Sequence, residues 1–226
     1  MAGSAAIARW ATFDCYGTLI DWNAGIGREL ARLFGVEAAP HLLHVYHDLE
    51  PQVQREDPQR TYREVLDLTV ARLADREGFR LDPHQQGALA RSLPDWPAFP
   101  EVRSALEEAR ARGWRLAILS NTDRDLIEAS MRRLGVGFEF SIVAGELGSY
   151  KPSPLHWEIF RARCDAVRDR HVHVGASPYH DITPAAALGI PTVWINRLGE
   201  DAQPQPTVEL RDLASLADTL DELVAA

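Results

Sequence analysis

Of the 24 basic residues in this 226-residue chain, all but one are arginine, and the exception is Lys151. Arginine is a fixed, delocalised cation, whereas lysine is a compact point charge whose pKa can move. A lone lysine against that background suggests chemistry that arginine cannot do; the plainer reading is a chance survivor of a biased composition. Carboxylates offer it partners. Asp14 ends the segment RWATFD (9–14) and is followed by CYGTLID, in which Gly17 permits a tight turn and Thr18 stands four residues on. A carboxylate at a strand tip can attack an electrophilic carbon or phosphorus and form a covalent ester, although an aspartate there also serves to cap a turn. Ser120 and Asn121 end the run LAILSN, and Asp181 follows Gly175 by six residues.

Residues so far apart need a fold that gathers them. From about residue 95 onward, strand and helix signals alternate: strands at 116–120, 138–143, 171–175 and 191–196, and helices at 101–112, 124–134, 154–164, 181–188 and 212–224. With the strand at 9–14 this predicts a doubly wound α/β fold, a Rossmann-like parallel sheet covered on both faces. Between residues 21 and 94 the pattern is helical: 24–34, 41–55, 61–77 with an apolar stripe through Tyr62, Val65, Leu66, Thr69 and Leu73, and a weaker segment at 84–92. The domains expected are a core of 1–20 and 95–226 and a helical cap of 21–94, with the stiff stretch Pro94, Trp96, Pro97, Phe99, Pro100 as a hinge. In open parallel sheets, ligands bind at the carboxyl ends of the strands. Asp14, Ser120, Asn121 and the segment after Gly175 all fall at such ends, with the inserted helices above them.

Charge and composition narrow the class. With 33 acidic against 24 basic residues the net charge is −9, which gives no electrostatic footprint for nucleic acid. No apolar run approaches a membrane span, and the N-terminus lacks a basic start followed by a long apolar stretch. Two cysteines, Cys15 and Cys164, make no disulfide framework and read as small buried fillers of a reducing compartment. The expectation is a cytoplasmic protein with no membrane or nucleic-acid partner; a homodimer is left open.

Four motifs then resemble one family. FDCYGTLIDW (13–22), SNTD (120–123), SYKPSP (149–154) and HVGASPYHDI (173–182) occur in the order and approximate spacing of the haloacid dehalogenase superfamily, and most resemble its L-2-haloacid dehalogenase branch. The resemblance covers essentially the whole chain. It implies that Asp14 is the nucleophile, that Lys151 keeps it ionised, and that Asp181 positions the water that hydrolyses the ester. It also implies that Ser120 and Asn121 bind the substrate carboxylate, and that Thr18 either binds that carboxylate or holds Asp14. Position 16 separates the branches. Phosphatases of the family resemble D-x-D, whereas this chain has Tyr16, and a phenol is a poor proton donor to a leaving alkoxide. The last motif carries Ala176 where those phosphatases place a metal-ligating aspartate, so no magnesium and no other cofactor is expected.

The chain also departs from the dehalogenases. Ala176 and Pro178 stand where they resemble a serine and an asparagine, and Ser177 partly replaces the serine. Their arginine over the leaving halide is missing, because no Arg occurs between Arg32 and Arg55. His44, Tyr46 and His47 are its potential replacements, with His47 preferred, and Trp157 is either a substrate-facing aromatic or core. The expected activity is metal-independent hydrolysis of short 2-haloalkanoic acids to 2-hydroxy acids and halide. The alternatives are a phosphatase of the same fold, a hydrolase attacking another activated carbon next to a carboxylate, and a scaffold that only binds a ligand.

Overall fold

The computed structural model describes residues 8–164, 166–201 and 205–225. The chain enters through strand β1 (Arg9–Phe13), whose five residues are all buried. It then runs through four helices, α1 (Trp22–Phe34), α2 (Ala39–Glu56), α3 (Tyr62–Arg76) and the short α4 (Ala88–Ser92), before α5 (Val102–Ala111). The alternating half follows: β2 (Trp114–Ser120), α6 (Arg124–Leu134), β3 (Phe140–Val143), α7 (Ala144–Leu147), α8 (Leu155–Cys164), β4 (His171–Gly175), α9 (Thr183–Ala187), β5 (Thr192–Ile195), β6 (Val208–Leu210) and α10 (Leu216–Leu223).

Among the described residues six strands form one parallel sheet, in the order β3-β2-β1-β4-β5-β6. β1 is therefore central, and the chain winds outward through β2 and β3 on one side and β4 to β6 on the other. The switch in winding direction lies beside β1, where open sheets of this kind form their ligand crevice. The doubly wound expectation holds, with one strand more than the sequence signals: β6 is three residues long and only partly buried, so it carries little hydrophobic pattern. The helix expected at 181–188 begins instead as a π-turn, Pro178–Ile182, and the one expected at 212–224 starts only at Leu216.

The helical segment has local reasons to form. The Asp21 side chain caps α1 by accepting from Ala24 N at 3.0 Å, and Thr61 and Glu64 form a reciprocal capping box at the start of α3. Pro51 interrupts the hydrogen bonding of α2 without ending it. The chain enters and leaves this segment side by side: Asp21 N donates to Pro97 O at 2.8 Å and Phe99 N to Leu19 O at 3.1 Å. Trp96, expected in a hinge, is fully buried there against Gly25, where an added methyl would lie 2.3 Å from Trp96 Cγ. Among the described residues no helix is long and apolar enough to cross a membrane.

Candidate active site

The lone lysine sits between the two carboxylates. Lys151 Nζ donates to Asp14 Oδ1 at 2.9 Å, to Asp181 Oδ1 at 2.7 Å and to the Leu119 carbonyl at 2.8 Å, which uses all three ammonium protons. Its side chain is 1% exposed. Each partner arrives from a different strand end: Asp14 just past β1, Leu119 near the end of β2, and Asp181 from the π-turn after β4. Gly175 is required here because a Cβ would come within 2.5 Å of Asp181 Cβ.

The charges are uneven. Burial opposes the ammonium, but the two carboxylates outweigh it and hold the Lys151 pKa above its ordinary value. Burial alone would raise Asp181, yet Lys151 and His173 pull it well below the usual carboxylate range. Burial pushes Asp14 up to about 6; the negative charge of Asp181 adds to this, while Lys151 and Thr18 pull it back. Asp14 is thus the carboxylate of the pair that takes a proton first, and it is ionised above neutral pH.

Around this trio the sequence-derived residues divide. The Thr18 hydroxyl donates to Asp14 Oδ2 at 2.9 Å and accepts from Ala176 N at 2.9 Å, so its one proton holds Asp14. Asn121 faces the cavity, but its amide closes a reciprocal pair with the Lys151 backbone: Lys151 N donates to Oδ1 at 2.7 Å, and Nδ2 to Lys151 O at 3.0 Å. Ser120 Oγ is buried, lines the cavity and has no hydrogen-bond partner. Ser177 also lines it, with its hydroxyl turned to His180 Nδ1 at 3.1 Å and its N–H donating to Asp181 Oδ2 at 3.1 Å. Tyr16 presents its ring to the cavity, stacked on Tyr62 with centroids 6.1 Å apart, while its hydroxyl pairs with Ser130 at 3.0 Å.

Of the three α2 residues considered for the leaving group, His47 lines the cavity beside Trp22, Tyr46 is fully buried, and His44 is exposed. Burial and the neighbouring His44 lower the His47 pKa. Trp157 is a correction. It is fully buried in a second core cluster with Trp10 and Phe160, its ring lies 5.0 Å from that of His173, and it does not line the cavity. Its place on α8 points the indole at the underside of the sheet, where apolar packing takes it. Cys15 is buried as expected, whereas Cys164 is only partly so.

The cavity over Asp14 measures about 240 Å³, below the roughly 300 Å³ at which sites for drug-sized ligands begin, which suits a short acid. Its far wall comes from α1 to α3 and contains residues the sequence analysis did not select, chiefly Glu50, Gln54 and Tyr62. Glu50 follows His47 by three residues, one helical turn, so its presence on a buried stripe was the available signal. Asp123 was another omission. Its carboxylate, at the start of α6, accepts from Tyr62 N at 2.9 Å and Arg63 N at 3.0 Å, capping α3 across the cleft.

A divalent metal does not fit this donor set. Lys151 Nζ occupies the position between the two carboxylates that a cation would take, and Ala176 offers no ligand. Among the described residues no cluster of three His, Cys, Asp or Glu side chains is placed to hold a metal ion.

A parallel doubly wound sheet with a lysine-compensated carboxylate at the tip of its central strand is an α/β arrangement that can support covalent nucleophilic chemistry. Residues 8–189 match the haloacid dehalogenase-like hydrolases, and the chain belongs to that family. Haloacetate dehalogenase H-2 of Moraxella sp. (strain B) is 40% identical over 103 residues; the match spans 45% of this chain and 46% of that protein, about half its length. The (S)-2-haloacid dehalogenase of Pseudomonas sp. (strain YL) is 27% identical over 229 residues, covering 92% and 93%. An L-2-haloacid dehalogenase from Xanthobacter autotrophicus, with chloropropionic acid covalently bound, shares the fold at TM-score 0.83 and 15% identity, covering 95% and 98% of the two chains.

Proposed function

We propose that this protein hydrolyses short 2-haloalkanoic acids without a metal, through an ester on Asp14, releasing halide and a 2-hydroxy acid. The observation that carries this reading is the Lys151 bridge between Asp14 and Asp181. In the first step an Asp14 oxygen attacks C2 of the acid, the C–O bond forms and the halide departs with the C–X electron pair. In the second, water attacks the ester carbonyl, Asp181 orients that water, and the 2-hydroxy acid and one proton are released. Lys151 keeps Asp14 ionised and compensates the charge that returns to it. Thr18 holds Asp14, and Asn121 holds the Lys151 backbone. The unpartnered Ser120 Oγ binds the substrate carboxylate, Ser177 fixes Asp181 through its N–H, and the Tyr16 ring walls the cavity. His47 flanks the departing halide.

In this reading residues 21–94 are a cap over a core of 1–20 and 95–226, and the setting is the cytoplasm, where the buried Cys15 thiol beside Asp14 persists reduced. The relatives with dehalogenase names support the substrate class. The test is halide release from chloro-, bromo- and fluoroacetate in the presence of chelator, with Asp14→Asn alongside. Expected are turnover by the wild type, none by the variant, and a mass increment on the Asp14 peptide after quenching. Magnesium-dependent hydrolysis of a phosphomonoester, with no halide release, would overturn the reading.

A further inference from the structure

Glu50 has no role in the chemistry above, yet it is one of the least expected residues in the cavity. It lies on α2, is 4% exposed, and lines the same space as Asp14. His47, Glu50 and Gln54 stand three and four residues apart, share one helix face, and all border the cavity. Tyr62 Oη donates to Glu50 Oε1 at 3.0 Å, which uses the only phenolic proton of Tyr62 and so removes it as a donor to substrate. No arginine borders this cavity among the described residues.

In-line displacement by Asp14 would send the leaving group away from the strand ends, into the cavity that this helix face borders. The cavity already holds Asp14 and Asp181 against one ammonium, and the substrate adds its own carboxylate. An ionised Glu50 would repel both the substrate and the departing anion. Several titratable groups surround it: Tyr46 and His47 on α2, Tyr62 on α3, Tyr150 from the segment before Lys151, and Asp14, Tyr16, Lys151, His180 and Asp181 around the same cavity. Burial pushes Glu50 up to about 7, with Tyr62 and Gln54 offsetting part of the rise, so its acid form persists close to neutral pH.

We propose that Glu50, in its acid form, donates a hydrogen bond to the group leaving C2, suiting this site to 2-substituted carboxylates whose leaving anion is a strong hydrogen-bond acceptor and a poor leaving group, with fluoride the halide of that class. The inference rests on the dehalogenase reading and deepens it. As Asp14 forms its bond to C2, the C–F bond breaks and fluoride departs with the electron pair, its developing charge accepting a hydrogen bond from the Glu50 acid; the proton stays on Glu50, because HF is the stronger acid. Water then hydrolyses the ester, restores the Asp14 carboxylate and releases one proton to solvent. Bromide, a better leaving group and a weaker hydrogen-bond acceptor, depends less on that donor.

The experiment compares wild type, Glu50→Gln and Glu50→Leu on fluoroacetate and bromoacetate across neutral pH, with circular dichroism to confirm folding. Wild-type kcat on fluoroacetate should fall as pH rises through about 7, where Glu50 ionises, and more steeply than turnover of bromoacetate. Glu50→Gln, nearly isosteric and still able to donate through its amide, should lack the alkaline limb on fluoroacetate and stay within about threefold on bromoacetate. Glu50→Leu, which leaves no donor, should lose about a hundredfold on fluoroacetate and far less on bromoacetate, and if it fails to fold the pH profile of the glutamine variant decides. Equal losses on both substrates in Glu50→Leu, an alkaline limb that survives in Glu50→Gln, or a wild type that releases bromide but no fluoride would each overturn the role of Glu50. No halide release from either substrate would instead overturn the dehalogenase reading, and this inference with it.

Discussion

Replacing Lys151 with methionine removes the cation but keeps a side chain of similar length in its buried slot. Asp14 and Asp181 are then two buried carboxylates with no counter-charge. The lost attraction between unit charges about 4 Å apart is about 4 kcal/mol at an effective dielectric constant near 20. At about 1.4 kcal/mol per pKa unit, that moves Asp14 by about three units. Starting from about 6, its pKa becomes about 9. At pH about 7.5 the ionised fraction of the nucleophile drops from nearly all to roughly one part in thirty, so the rate should fall about thirtyfold from this cause alone. The assay is a pH–rate profile of halide release from bromoacetate. The wild type should lose activity as pH falls through about 6, and the variant should recover as pH rises through about 9. A variant slowed at every pH but with its acid limb unmoved would refute the electrostatic role and leave Lys151 a purely geometric one.

Chelator should leave turnover unchanged, since Lys151 fills the space between the carboxylates; activity lost to chelator and restored by magnesium would contradict that reasoning. Gly175→Ala would put a methyl 2.5 Å from Asp181 Cβ, so it should displace Asp181, cost about 1–3 kcal/mol and lower kcat; unchanged thermal unfolding with full activity would show that the π-turn yields freely. Glu50→Gln should change the pH dependence of stability. The folded-state pKa of Glu50 is raised from 4.5 to about 7, so the wild type is most stable below the unfolded value and loses stability as pH rises through the folded one. Relative to wild type the variant should therefore gain up to about 3 kcal/mol between mildly acidic and mildly alkaline pH. Urea unfolding at both extremes checks this, and a constant difference would mean that Glu50 is not held in its acid form by the fold.

The sequence by itself determined the sheet and its ends. Strand and helix periods after residue 95 specify parallel winding, and strand-end polar residues in a parallel sheet converge because all their carboxyl ends point the same way. Lys151 could be singled out because a lysine among 23 arginines is visible without any structure. Tertiary structure decided what the side chains do once they meet. Asn121 reads as a substrate ligand, yet its amide is taken up by the Lys151 backbone; Thr18 reads as either a substrate ligand or a holder of Asp14, and its proton goes to Asp14. Trp157 followed the lysine motif at a plausible spacing, but its helix buries the indole under the sheet. Asp123 immediately precedes α6, but its carboxylate caps α3, about sixty residues upstream in sequence. Glu50 lies in the apolar stripe of α2, where a helical pattern marks a polar residue as out of place without saying what it faces. A local pattern reports which surface of an element is buried. What lies across that surface depends on chain segments far away in sequence, and only the packing of the helices against the strand ends brought Glu50 over Asp14.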